Sequence, residues 1–350
     1  MKKIFIAIVA LAAATACSNS EIVSVNREAI GFDNAFINNS VRSVETPGYS
    51  QSSMFNDFSV FGFVEGAVLF NGVEVSKNGS GLDADKYAGQ ISTDWKYEGT
   101  QYWIAGANYD FYAIAPYSGG WAVKEGTTPT DAGATLTFTT TDGTQDLLYT
   151  NIVAKQGAVS GNTAVAFNFK HILSKVKFSF KNGYNASAAT ICVRDIKITN
   201  ANESGEVALA AAASWSNQSG TKAIAFGNAT TEATYATDAT VDNLANYDYA
   251  YNTTVESYYE RLLIPGEEEW NISFIVELLV SGQKIATYNH TAKASIKLEP
   301  GCSYDINAEI TAANIDPNHA QEPIEFTATM TDWSTAAEED ATVDTIKQNN

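Results

Sequence analysis

The chain has 350 residues, of which 45% are hydrophobic and 11% aromatic, and it carries a net charge of -19 with a pI of about 4.5. That apolar share suffices for a sizeable core and excludes an intrinsically disordered chain, and the length suggests two domains. The acidic balance repels phosphate backbones and anionic membrane surfaces, which excludes nucleic acid as a partner.

In chain order, the first element is MKKIFIAIVALAAATAC, with Lys2 and Lys3 as a charged n-region, an apolar run from Ile4 to Ala14 and small residues before Cys17. Residues 1–16 read as a lipoprotein signal peptide, too short to span a bilayer. Ala14-Thr15-Ala16-Cys17 resembles a bacterial lipobox, in which the cysteine is lipidated and becomes the mature N-terminus; an ordinary cleavage site is the alternative. No later stretch reaches the roughly 20 apolar residues of a spanning helix, so the mature protein is expected to be anchored at Cys17 and otherwise soluble.

AIGFDNAFINNSVRSVE, residues 29 to 45, begins as a strand. Ile30, Phe32, Asn34 and Phe36 alternate with Gly31, Asp33, Ala35 and Ile37, and the run then loosens into an Asn-Asn-Ser hinge carrying Arg42. A sticky strand thus stands just ahead of an arginine expected to be exposed.

Beyond it, period-2 alternation dominates. FNDFSVFGFV sets Phe55, Phe58, Val60 and Phe63 in a strand, and KVKFSFK turns Val176, Phe178 and Phe180 inward with Lys175, Lys177, Ser179 and Lys181 outward. The pattern recurs in VRDIKIT, WNISFIVELLV, ASIKLE, SYDINAEI and IEFTATMTDW. Clusters such as NGSGLDADKYAG and NANESGE between the runs are turn chemistry. Long amphipathic helical patterns are absent, and the alanine-rich VALAAAASW comes nearest to one. The expected fold class is all-β, built as β-sandwiches. The boundary falls near His171, where AVAFNFKHI closes one domain (43–170) and LSKVKFSF opens the next (171–333) with almost no linker. The tail, 334–350, is polar and acidic.

Chemistry-bearing motifs are scarce. Nucleophile elbow, Walker loop, dinucleotide fingerprint and zinc-protease helix are all missing, so no enzyme is expected. Asp83 with Asp85 and Asp142 with Asp146 lack the spacing of a calcium loop and read as turn aspartates. Cys192 and Cys302 lie in strand-like runs and leave a bridge or two buried thiols open; His171, His290 and His319 share no ligand spacing with them, so neither metal nor cofactor is expected. The stretch DWKYEGTQYWIAGANYDFYAIAPYSGGW is rich in Trp and Tyr, which serve either core packing or a sugar-stacking face. The acidic runs at 267–269 and 338–340 read as solvated charges.

Taken in order, the lipobox cysteine, the early IGF strand ending in NNSVR, WKYEGTQYWIAGANYDFYAIAPY, FNFKHILSKVKFSF, VRDIKITNANESGEV and the closing IEFTATMTDW resemble the fimbrillin family, the major and minor subunits of Bacteroidales type V pili. The resemblance covers nearly the whole chain. It implies two transthyretin-like β-sandwich domains in tandem and a precursor lipoprotein, lipidated at Cys17, that is exposed on the cell outer membrane and incorporated into a fimbrium. It implies as well that an arginine-specific protease removes the first strand, within a propeptide spanning 17–42, and that a strand from the C-terminal region of the next subunit fills the vacated groove. Ile30, Phe32 and Phe36 then belong to the removable strand, and Arg42 and Ser43 flank the cut. Only four arginines occur in the chain, and cleavage at Arg27, the other N-terminal one, would leave the strand attached.

Candidate donor residues are Ile324, Phe326 and Met330 in PIEFTATM, which mimics AIGFDNAF, and Val343 and Ile346 in the tail. PIEFTATM also reads as the last strand of the chain's own C-terminal domain. Asp344-Thr345-Ile346 resembles a short O-glycosylation signal. The expected partners are other fimbrillin subunits, in a homo- or hetero-polymer, the protease and the outer membrane, with adhesion and biofilm formation as the outcome. The alternative is a monomeric glycan-binding lipoprotein that uses the Trp and Tyr stretch.

Overall fold

A computed structural model of the chain describes residues 28–37, 55–87, 94–183, 190–209, 213–226, 260–280, 283–315 and 324–332. The upstream elements are β1 (Phe32–Ile37), β2 (Asp57–Val64), β3 (Ala67–Lys77), the one-turn helix α1 (Ala84–Tyr87), β4 (Trp95–Tyr97) and β5 (Asn108–Ala115). β6 (Trp121–Val123), β7 (Ala134–Thr139), β8 (Leu148–Thr150), β9 (Val153–Gln156) and β10 (Val165–His171) follow. Downstream come β11 (Ser174–Asn182), β12 (Thr190–Leu209), β13 (Ser214–Ala225), β14 (Arg261–Leu263) and β15 (Gly266–Val280). β16 (Gln283–Leu298), β17 (Cys302–Ile310), the one-turn helix α2 (Ala312–Ile315) and β18 (Phe326–Asp332) complete the order. The chain is all-β, as the alternation predicts.

The strands form three sheets. An eight-stranded sheet runs β1-β10-β8-β5-β2-β3-β4, with β9 alongside β5. It wraps one core, in which Phe32, Phe58, Val60, Phe70, Tyr97 and Phe111 are among the buried residues. A four-stranded sheet, β14-β11-β17-β18, faces a six-stranded one, β16-β15-β12-β7-β6 with β13 beside β12, across a second core. Val176, Phe178 and Phe180 from the first meet Ile198, Trp270 and Phe274 from the second. The chain passes from the eight-stranded to the four-stranded sheet between His171 and Ser174, while β6 and β7 pair into the six-stranded sheet beside β12.

A third core explains a departure from simple alternation. β2 is buried on both faces: Phe58 and Val60 enter the wrapped core, while Phe61 and Phe63 join Tyr112, Leu136, Phe138 and Val207 on the opposite side. β5 does the same, so neither strand shows a polar face. Gly62 is required at the centre of β2, because a Cβ there would lie 2.7 Å from the Phe70 ring and 2.8 Å from the Phe111 ring.

Three local expectations are corrected by long-range packing. NANESGE, expected as turn chemistry, lies within β12, where Asn202 is aligned with Thr221 of β13 and Glu206 with Thr137 of β7. Lys175, expected to face outward, is buried with its Nζ 3.4 Å from Glu260. The acidic run 267–269 lies in β15, and strand alternation turns Glu268 inward, where it accepts a hydrogen bond from Asn202 Nδ2 at 2.6 Å. Burial pushes the Glu268 carboxyl from its ordinary 4.5 up to about 7.

Two outcomes follow. In denaturant titrations Gly62→Ala should lose about 1–3 kcal/mol, because both rings must shift against a filled core; an unchanged midpoint would show that the rings yield freely. For Glu268 the folded state holds a proton that the unfolded state releases, so its contribution declines as pH rises from 4.5 to about 7 and is level above that. Glu268→Gln should flatten the stability profile over this window, and an identical slope in both proteins would assign the pH dependence elsewhere.

Candidate functional site: an N-terminal strand and its groove

Residues 28–37 are the most distinctive feature of the eight-stranded sheet. The alternating residues of EAIGF extend the backbone, and the segment is hydrogen-bonded along two borders. Residues 28–30 run antiparallel to 101–103, just beyond β4: Ile30 N–H donates to Gln101 O at 2.8 Å, and Trp103 N–H donates to Glu28 O at 3.0 Å. From Gly31 onward the partner is β10, in parallel pairing, with Val165 N–H donating to Gly31 O at 2.8 Å. Phe32 is aligned with Val165 and Ile37 with Phe169, with a register shift between Asp33 and Phe36. The segment therefore joins the β10 end of the sheet to the chain that follows β4 at its other end.

Side chains seal the same seam. Ile30 and Phe32 are fully buried. The Phe32 ring stacks on Phe167 at 5.7 Å and meets Phe58, Phe70, Tyr97 and Phe111 edge-on at 5.4–6.4 Å. Edge-on contacts of this kind place the positive ring edge on a negative ring face. Tyr97 on β4 adds a polar link, its Oη donating to Ile30 O at 2.8 Å and accepting from Gln101 N–H at 3.0 Å. Burial pushes the Tyr97 phenol up to about 12, so it stays protonated and able to donate.

Glu28 opens the segment. One carboxylate oxygen accepts from Gly161 N–H, the other from Asn162 N–H and Asn162 Nδ2, each at 2.7 Å. These bonds, Gly161's foremost, hold the Glu28 carboxyl below its usual range.

The predicted residues distribute as follows. Ile30 and Phe32 lie in the groove; Phe36 belongs to β1 and pairs with Asn168, and its side chain lies outside the described residues. Cys17, Arg42, Ser43, Val343 and Ile346 also lie outside them. Ile324 and Phe326 are buried in this chain's own C-terminal core with Met330 packed against it, and β18 runs antiparallel to β17. Cys302 is half-buried at the start of β17, and the side chain of Cys192, on β12, is outside the described residues. Asp83, Asp142 and Asp146 accept hydrogen bonds from Asp85, Thr144 and Leu147 N–H groups, as turn aspartates do. Among the described residues no three acidic, His or Cys side chains converge as metal ligands.

Of the aromatic stretch, Trp95, Tyr97, Trp103, Tyr109, Phe111 and Tyr112 are buried, while Tyr102 and Tyr117 are exposed. Most of the rings that could have formed a sugar platform are thus core. Sequence reasoning missed Glu28, Tyr97 and Asn162 as groove residues. Glu28 left a signal: it stands in phase with Ile30 and Phe32, a charge where alternation calls for an inward side chain.

No curated protein sequence matches the chain. A fimbrial protein from Bacteroides vulgatus has a similar crystal structure, with a TM-score of 0.57 at 15% identity over 88% of this chain and 100% of that one. More distant in geometry are a candidate cell adhesion protein from Bacteroides uniformis (TM-score 0.48, 14% identity, 89% of this chain and 99% of that one) and the fimbrial anchor protein Mfa2 from Porphyromonas gingivalis (TM-score 0.37, 11% identity, 88% and 98%). The first of these shares the fold. The family model described as fimbrillin-like matches residues 66–333, so the chain belongs to the fimbrillin-like family.

Proposed function

We propose that this chain is a structural subunit, in the stalk or at the tip, of a cell-surface fimbria, and that β1 is a temporary occupant of a groove meant for another subunit. Family membership supports the coarse role of a pilus subunit that assembles with other fimbrial subunits. The observation that carries the finer reading is the seat of Phe32. A short N-terminal strand, continuous with the rest of the chain only through residues 38–54, fills a slot that would otherwise expose Val165, Phe167 and an unpaired β10 edge. Such an edge invites association, and a covalently attached plug suppresses it until assembly. Refilling the slot from a second subunit restores the main-chain bonds, and the head-to-tail contact extends into a filament.

On this reading the precursor is exported, lipidated at Cys17 and held at the outer membrane, and an arginine-specific protease cuts between Arg42 and Ser43. Arginine usage supports that choice of site. Arg194 is bound to Glu277 and Asp195, and Arg261 donates to the carbonyls of Ala225 and Glu260. Both are engaged in β structure, which leaves Arg27 and Arg42 as the protease's targets, and cleavage at Arg42 is the one that frees β1. β18 is committed to its own core, so the tail with Val343 and Ile346 is the candidate donor that leaves that core intact, and the segment with Ile324, Phe326 and Met330 is the candidate that must be withdrawn from it. A tail so poor in large apolar residues favours a tip or capping position over the stalk, with adhesion and biofilm formation downstream.

The test is limited digestion of the precursor with an arginine-specific protease, then N-terminal sequencing and an unboiled gel. The expected product begins at Ser43 and, given a donor, runs as a ladder, whereas Arg42→Ala stays an uncut monomer; a normal polymer from that variant would move the cut. Phe32→Asp should cost the precursor at least ~3 kcal/mol, since a filled aromatic seat is lost, and leave the trimmed product unaffected. Equal losses in both forms would show that β1 is permanent.

A further inference from the structure

The Glu28 socket has chemistry beyond its present occupant. Three N–H donors converge on one carboxylate at 2.7 Å, and the loop that presents them is braced independently of Glu28. Ala158 N–H donates to Asn162 Oδ1 at 2.7 Å and Asn162 Nδ2 donates to Ala158 O at 3.0 Å, closing the loop on itself. Gly161, at φ +77°, holds the left-handed turn that aims its N–H outward. Gly157 is tied to the chain ahead of β5 through Gly106 N–H to Gly157 O at 2.8 Å and Gly157 N–H to Ala107 O at 2.9 Å. The donors are therefore preorganised and remain when the carboxylate leaves.

Alternation alone leaves the groove degenerate. A slip of one residue turns every side chain to the wrong face, but a slip of two keeps Ile30 and Phe32 on the correct one. Two residues of travel is about 6.6 Å, which removes the carboxylate from hydrogen-bond reach. We propose that the 158–162 loop is a carboxylate-binding site that fixes the register of whichever extended strand fills the groove, the second occupant being a strand from another copy of this chain. The identity of that occupant rests on the strand-replacement reading above.

The chain carries the pattern Glu-x-Ile-x-Phe twice. Glu28, Ile30 and Phe32 in EAIGF are repeated as Glu322, Ile324 and Phe326 in EPIEF. Pro323 is compatible with the middle position, because the bonds to 101–103 use the N–H of residue 30 and the C=O of residue 28. Pro323 in place of Ala29 and Glu325 in place of Gly31, both at buried positions, are the two departures. The tail offers only Glu339, Ala341 and Val343 at this spacing, without a large side chain for the Phe32 seat, so the socket favours 322–330 over 334–350 as the donated segment, at the cost of withdrawing β18 from its own edge position.

The test uses the full chain. In the intact protein, Glu28→Ala should speed amide exchange at Gly161 and Asn162 on the order of tenfold, whereas unchanged exchange would overturn the socket. The chain is then cut at a site inserted between Arg42 and Ser43 and challenged with labelled peptides of residues 28–37 and 322–330 and their Glu→Gln forms. The acidic peptides should displace the resident strand on the order of tenfold more effectively at neutral pH, an advantage lost as the carboxylate protonates in acid. Equal displacement by acid and amide forms would overturn register-setting while leaving strand replacement intact. Displacement by no peptide, with the exchange effect present, would overturn strand replacement and the second occupant with it.

Discussion

Everything distinctive about this molecule depends on the seat of Phe32. Burying one phenylalanine is worth about 1.5–3 kcal/mol, and favourable ring pairs add about 0.5–1.5 kcal/mol each, so a short segment holding this residue contributes a sizeable share of a domain's net stability. Main-chain bonds on two borders add about 1 kcal/mol apiece. These are strong terms for an attached strand and moderate ones for a free peptide. Covalent continuity raises the effective concentration of the strand, and cutting the link converts its retention into a reversible binding equilibrium.

The groove keeps its shape because the sheet around it cannot relax. β2 and β5 are buried on both faces, so a shift in the wrapped core would be felt in the core that contains Tyr112, Leu136 and Val207. β12 ties the halves together, pairing with β15 over its first half and with β7 and β13 over its second. Along it, Asp195 has φ +55°, and the register shifts against both β15 and β13. Nearby, the buried Glu277 carboxylate is held by Arg194 Nε at 3.1 Å and Lys284 Nζ at 3.3 Å, an arrangement that penalises any slip of β15 against its neighbours.

Sparse charge fits the same picture. At 17% charged residues with a net -19, the chain has few cations, and arginine is confined to four positions. The two within the described β structure are spent on structural bonds. A net negative field keeps the folded body from attracting other copies of itself over long range, which leaves shape and strand pairing to govern association.

The sequence by itself determined the all-β class, most strand positions and the inward set of β11 and β18, because period-2 alternation is a local property that one face of a sheet imposes residue by residue. It also marked Ile30 and Phe32 as buried. Only the tertiary structure decided that β2 and β5 have no outward face, that Lys175 and Glu268 are buried, and that NANESGE is strand. It alone decided that β1 lies parallel to β10, that residues 28–30 run antiparallel to 101–103 and that Glu28 is clamped by a distant loop. Partner choice, strand direction and double-sided burial arise from contacts between residues more than a hundred positions apart, such as Glu28 with Asn162, and no local periodicity encodes them.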